Sequence, residues 1–300
     1  MRQALFFAGK YNLRSEYRLQ IFTHEVFHMT ELRLRFPEGR RKALTLSYDD
    51  GVREDIRLMQ IMDQHGLKGT FNINSGCFSP ESGAHRRMSK QECYDLYANS
   101  GHEVALHALY HGDLPQLPAA HAIWQVVRDK EVLENMFGRI IRGMAYPYGT
   151  VDQKLADTLR GCGIAYSRTT ESTGRFALPT DWLRMPATCH HNNPQLMTMA
   201  QAFLDDKTTR PWLFYLWGHS YEFADNDNWH VIEDFAALMG GHDEIWYATN
   251  IEIHDYIEAW RNMHISADGM RLFNPSYMPL WLYFDGNTYR IDPGCEIVLG

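Results

Sequence analysis

The sequence predicts an α/β fold: a closed or nearly closed barrel of strand–helix units, with a small β appendage at the C-terminal end. Three observations point there. Short apolar runs of strand length recur between residues 42 and 247, separated by helical stretches of about ten residues or more, a spacing that calls for parallel pairing through right-handed crossovers. Several of these runs end in carboxylates or histidines, where an α/β site would sit. After residue 265 the rhythm changes to turn signals, Asn274-Pro275, Asp285-Gly286-Asn287 and Asp292-Pro293-Gly294, between short β-rich runs. The chain thus divides into an N-terminal extension (1–28), a barrel (29–265) and the appendage (266–300).

Residues 1–28 show no clear period, and Met29 opens an alternating apolar and charged pattern that reads as an outer strand. The first barrel strand is Lys42-Ala43-Leu44-Thr45-Leu46-Ser47-Tyr48, too short for a helix, and it ends in Asp49-Asp50-Gly51. Ile56, Met59, Ile61 and Met62 then recur at helical spacing before Gly66. Residues 68–74 form a second strand, and Ser89-Lys90-Gln91-Glu92 is a capping box opening a helix that stops at Gly101. Residues 102–107 are a third strand, 117–137 a helix, and 140–146 a strand. Asp152 starts a helix ending at Gly161, and 164–167 is short and extended. A helix over 194–206, the dense apolar strand 212–217, and helix, strand and helix over 229–239, 244–247 and 251–263 complete about seven units.

Composition bounds the class. The chain has 300 residues, 45% hydrophobic and 22% charged, as in ordinary globular proteins. A net charge of −8 without a Lys or Arg run excludes a phosphate-tracking surface, so nucleic acid is not an expected partner. Five cysteines (Cys77, Cys93, Cys162, Cys189 and Cys295) with no Cys-x-x-Cys read as free thiols in a reducing compartment. No apolar run reaches the roughly 18 residues of a membrane span, and the Ala4-Leu5-Phe6-Phe7-Ala8 run is short for a signal peptide. The expectation is a cytoplasmic protein with no membrane partner.

Four stretches carry chemistry. Successive strand residues face opposite sides, so Asp49 and Asp50 can divide labour, one holding a metal and one free as a base. Alone, Asp-Asp-Gly reads first as a turn, and the rest of the chain overturns that reading. His107 and His111, four apart past a strand end, come to one side and with one carboxylate give the three protein ligands of a catalytic zinc site, leaving a place for water. In Tyr146-Pro147-Tyr148-Gly149 the proline and glycine shape a tight turn that could aim the Tyr148 N–H inward as an oxyanion donor. His219, just past Trp217-Gly218, could protonate a leaving amine.

These stretches, in this order, resemble the polysaccharide deacetylase family (carbohydrate esterase family four, the NodB-like domain), over about residues 40 to 260. Ser47-Tyr48-Asp49-Asp50-Gly51 is similar to the family's Thr-Phe-Asp-Asp-Gly, and His107-Ala108-Leu109-Tyr110-His111 to its His-Ser/Thr-x-x-His. Ala145-Tyr146-Pro147-Tyr148-Gly149 resembles Arg-Pro-Pro-Tyr-Gly, Asp181-Trp182 the fourth motif, and Leu213 to His219 the closing strand. The resemblance implies a distorted (β/α) barrel of about seven strands, with Asp49 as base and His219 as acid. It implies Asp50, His107 and His111 as ligands of one divalent metal, zinc first, with cobalt, nickel, iron or manganese as alternatives. It places the Tyr148 N–H at the oxyanion and Pro147, Trp182 and Trp217 near substrate.

Two positions depart from the family. Ala108 lacks the hydroxyl of the family's Ser or Thr. Ala145 stands where the family has the arginine that orients the aspartate base, and Arg168, expected just past a short strand, is the candidate replacement. The expected activity is removal of N-acetyl or O-acetyl groups from carbohydrate. Alternatives are hydrolysis of a small cyclic imide, ureide or formamide with the same chemistry, and a catalytically silent carbohydrate-binding barrel.

Overall fold

The structure, a computed structural model, describes residues 32–81 and 86–300. The expected extension 1–28 and the start of the outer strand at Met29 lie outside the described residues. From Leu32 the elements run in order as β1 (Arg33–Arg35), β2 (Lys42–Asp49), α1 (Asp55–Gln64), β3 (Gly69–Ile73), α2 (Lys90–Tyr97), β4 (Glu103–Leu106), α3 (Ala119–Phe137), β5 (Gly143–Ala145), α4 (Gln153–Gly161) and β6 (Tyr166–Ser172). They continue as β7 (Met185–Ala187), β8 (Cys189–His190), α5 (Leu196–Asp205), β9 (Trp212–Gly218), α6 (Tyr221–Asp225), α7 (His230–Met239), β10 (Ile245–Tyr247) and α8 (Asn250–Arg261). The expected helix starts are real. Ser89 and Glu92 form a reciprocal capping box on α2, and Asp152 caps α4 through the Leu155 N–H.

β2 is the centre of a nine-stranded sheet. It pairs in parallel with β9 along its length, with β3 from Leu46 to Asp49, and with β10 from Lys42 to Leu44. Parallel pairing continues from β3 through β4, β5 and β6 to β7. β7 and β8 are consecutive pieces of one extended segment, residues 185–190, and share one place in the ring. Its first half pairs with β6 and its second with β9, so the sheet curls into a nearly closed barrel. This segment, and the 3-10 turn Trp182–Arg184 before it, had no clear period in the sequence.

Period-two alternation sorts β2 into two faces. Leu44, Leu46 and Tyr48 belong to the main apolar layer shared with the surrounding helices. Thr45, Ser47 and Asp49 face the polar interior, bonded in turn to Asn250, Asn72 and again Asn72. The lower interior is closed by α8, whose Ile253, Tyr256 and Ile257 pack with Leu213 and Tyr215 of β9.

β6 differs from expectation. It runs to Ser172, so Arg168 lies inside a strand instead of beyond one. The expected β-rich tail forms β11 (His264–Ile265), β12 (Arg271–Phe273), β13 (Leu280–Phe284), β14 (Asn287–Ile291) and β15 (Glu296–Val298). β11, β12 and β15 make one antiparallel sheet; β13 and β14 make another that takes β1 as its third strand.

Candidate active site

The site forms at the C-terminal ends of the barrel strands. Asp49 is the last residue of β2 and Asp50 the first beyond it, with φ 90°. Ala108, His111 and Tyr148 also have positive φ, near 58°. Four of the seven non-glycine residues in this region among those described are therefore at one place, where surrounding contacts must hold an unfavourable backbone.

Asp50, His107 and His111 converge, with their ligand atoms within 4.8 Å of one another. Asp50 Oδ1 is 4.0 Å from His107 Nε2 and 3.8 Å from His111 Nε2. His107 is buried, and its Nδ1 lies 2.8 Å from the Ala145 carbonyl, which can only accept. Nδ1 therefore carries the proton, and Nε2 is left as a buried lone pair with no hydrogen-bond partner among the described residues. Burial, partly opposed by Asp49 and Asp50, lowers the His107 pKa and keeps the ring neutral. An unprotonated, unpartnered nitrogen aimed at a carboxylate and a second imidazole fits a divalent cation.

Other residues brace this trio. Asn74 donates to the carbonyls of His107 and, at 2.7 Å, of Ala108, and its own oxygen accepts from Arg87 at 3.1 Å. Arg87 also donates to the Asp50 carboxylate at 2.8 Å and to the Asp50 carbonyl. Asp129, on α3, accepts from the Ser75 N–H, the Ser75 hydroxyl and the His107 N–H. The missing hydroxyl at Ala108 is thus offset by backbone bracing.

Asp49 is paired with Arg168, whose Nη2 donates to Oδ2, while Oδ1 accepts from Asn72 at 2.8 Å. Arg168 is almost fully buried and lies 4.3 Å over the Trp217 ring. Burial alone would raise the Asp49 pKa; Arg168, His107 and His219 outweigh it and hold the carboxyl at about 2. His219 Nε2 is 3.9 Å from Asp49 Oδ2, and Nδ1 is 2.8 Å from Glu222 Oε1. Burial would lower the His219 pKa, but Glu222, Asp49 and Asp50 raise it overall, so the ring retains its proton to higher pH than a free histidine.

Tyr148 lies in the 3-10 turn Pro147–Gly149, its exposed ring edge-on to His111 at 4.7 Å; Pro147 is buried beneath. Trp182 does not join the others. Its indole N–H donates to Glu258 of α8 at 2.6 Å and its ring packs on His254, at the opposite end of the barrel. Arg142, just before β5, pairs with Asp255.

Several members had no motif. Asn72 and Asn74 were legible in retrospect as polar residues alternating through a buried strand, and Asp129 as an acid on the apolar face of α3 between Val126 and Leu133. Arg87, Glu222 and the run His190-His191-Asn192 come from a loop, the short helix α6 and a strand end without such a signal.

A model of the polysaccharide deacetylase family matches residues 37–167. No curated protein matches the chain. Among solved structures, a Mycobacterium smegmatis protein assigned as a polysaccharide deacetylase aligns at 16% identity and TM-score 0.55, covering 76% of this chain and 94% of that one. A family 4 carbohydrate esterase from Streptomyces lividans, solved with acetate, aligns at 15% identity and TM-score 0.49 over 70% and 93% of the two chains. Deacetylase PplD from Streptococcus pyogenes aligns at 17% identity and TM-score 0.43 over 47% of this chain, which spans 61% of that protein. The Mycobacterium smegmatis structure shares the fold, a nearly closed parallel barrel flanked by helices. Residues 37–167, under half of the chain, are similar to the polysaccharide deacetylase family.

Proposed function

We propose that this chain is a metal-dependent deacetylase that removes N-acetyl, or O-acetyl, groups from a carbohydrate. The observation that carries the reading is the bare, buried Nε2 of His107 facing Asp50 and His111, beside an ion-paired Asp49. Asp50, His107 and His111 would hold one divalent cation, zinc first. When bound, such an ion supplies Lewis acidity, which lowers the pKa of water and polarises an acyl carbonyl.

The chain's own residues do the rest. Asp49, ionised at neutral pH, takes a proton from the attacking water as the new C–O bond forms at the acyl carbon. The Tyr148 N–H is the donor offered to the negative charge that develops on the carbonyl oxygen. His219 gives its Nε2 proton to the leaving nitrogen as the C–N bond breaks, releasing amine and acetic acid; the acid ionises to acetate, Asp49 returns its proton to solvent, and His219 takes one back, so both side chains regain their starting states. With an O-acetyl ester the C–O bond breaks and the alcohol oxygen takes that proton. Arg168, seated on Trp217, keeps Asp49 charged and aimed.

The test is a turnover screen of the metal-loaded protein on acetylated chitooligosaccharides, peptidoglycan fragments, acetylxylan and cyclic imides. Acetate release from an acetylated sugar, lost in Asp49→Asn with metal retained, is the expected result. Turnover of imides alone would replace this reading with a small-molecule amidohydrolase, and bound metal with no turnover would favour a silent binding barrel.

A further inference from the structure

Glu222, in the short helix just after β9, is a meeting point for four side chains. Oε1 receives His219 Nδ1 at 2.8 Å. Oε2 receives His191 Nε2 at 3.0 Å and Asn192 Nδ2 at 2.6 Å, and His190 Nε2 lies 3.5 Å away. His190, His191 and Glu222 also place ligand atoms within 4.8 Å of one another, which invites a second metal site.

The proton positions oppose a metal there. The Asn192 backbone N–H donates to His190 Nδ1 at 3.1 Å, so that nitrogen is bare and the ring's proton is on Nε2, toward Glu222. A cation on Nε2 would push the proton onto Nδ1, against the Asn192 N–H. His191 is held between Tyr48 and Phe223, ring centroids 5.8 and 4.1 Å away, and its Nδ1 is buried without a hydrogen-bond partner. A cation on its Nε2 would leave a buried N–H at Nδ1 facing no acceptor among the described residues, where the present tautomer leaves a bare lone pair. Both rings act as donors at Nε2.

We propose that His190, His191 and Asn192 form a donor cradle for the Glu222 carboxylate, and that Glu222 is the positioning residue of His219. It fixes the His219 proton on Nδ1 and turns Nε2 toward Asp49, so the proton delivered in the reaction leaves from the face next to substrate. This rests on the reading of His219 as the acid. Burial would raise the Glu222 pKa, but the bonds from His191 and His219 outweigh it and keep Glu222 ionised. The groups facing His219 are Glu222 and Tyr221 from α6, Asp49 and Asp50 from the end of β2, and His190 from β8.

The test uses the full-length, metal-loaded protein with Glu222→Gln and Glu222→Asp. Histidine titration by NMR should show His219 losing its proton at lower pH in Glu222→Gln, with Glu222→Asp, which keeps the charge, staying nearer the parent. With a turned-over substrate, Glu222→Gln should lower kcat by about 10–100-fold, the size expected of an orienting partner, with KM little changed and the alkaline limb moved down. Metal content should stay at one equivalent in the parent and in His190→Gln. An unmoved His219 titration in a folded Glu222→Gln protein would overturn the proposal, as would a second metal equivalent that His190→Gln removes. If the titration moves as expected while no substrate is hydrolysed, the deacetylase reading fails and the cradle stands.

Discussion

Arg168 of β6 stands directly opposite Ala145 of β5 in the parallel register, and the Tyr146 N–H donates to the Arg168 carbonyl at 3.0 Å. Partners in such a pairing sit at the same height and face the same side of the sheet. Arg168 therefore brings a guanidinium to Asp49 from one strand over from Ala145, at the same level of the barrel. Arg168→Ala should lower kcat/KM by about 10–100-fold while metal content is kept. It should also lower Tm, because removing one partner strands a buried charge at a cost of about 3–5 kcal/mol. Equal kinetics for parent and variant would remove Arg168 from the catalytic machinery.

Chelation should abolish turnover, and adding back zinc or cobalt should restore it. His107→Ala should lose metal outright, measured by elemental analysis, because the bare Nε2 is the best prepared of the three ligands. Asp49→Asn should keep metal and lose rate. A His107→Ala protein that retained stoichiometric metal would disprove the assigned trio.

Activity should hold into mild acid and fall on the alkaline side. Asp49 at about 2 remains a base through neutral pH, so its protonation sets no limit in the working range. His219 has a raised pKa, so the proton it must donate is present below that value and lost as pH climbs through it. A pH profile of kcat/KM with its alkaline limb at or below the 6.5 of an ordinary histidine would contradict this assignment.

Stability should carry a pH signature of its own, from a buried acid far from the chemistry. Glu103, at the start of β4, bonds Thr70, Tyr166 and the Ile251 N–H, yet burial lifts its pKa from 4.5 to about 7. Between those values the folded protein holds a proton that the unfolded chain has released, so stability falls as pH rises from 4.5 to about 7. The full loss is roughly 3 kcal/mol. Glu103→Gln should lessen the dependence of Tm on pH across that window, which the buried Asp55 and Asp129, also raised to about 7, share; an unchanged slope would assign it to other groups.

Much of this was legible in the residues. Asp49-Asp50 and His107/His111 were found because a strand end places adjacent carboxylates and i, i+4 imidazoles where a barrel keeps its chemistry. Arg168 was chosen because Ala145 left a charge unbalanced, although the strand around it was read as ending too early. Trp182 failed because a two-residue likeness says nothing about which end of the barrel a loop reaches, and its indole closes the far end on Glu258. Glu222 and His190-His191-Asn192 stayed hidden because their meeting depends on where β8 and the loop after β9 come together, which no local period encodes.

Residues 185–190 are the seam of the barrel, spanning β6 on one side and β9 on the other. His190 and His191 lie at the end of that seam, and under the cradle proposal they hold the partner of His219. Any breathing motion that parts the seam would withdraw the cradle at the same moment. The metal trio hangs on β2 and β4, away from the seam, and would survive such an opening intact. The heat tolerance of catalysis would then fall short of the heat tolerance of metal binding, with the weakest hem of the barrel deciding when the acid stops working.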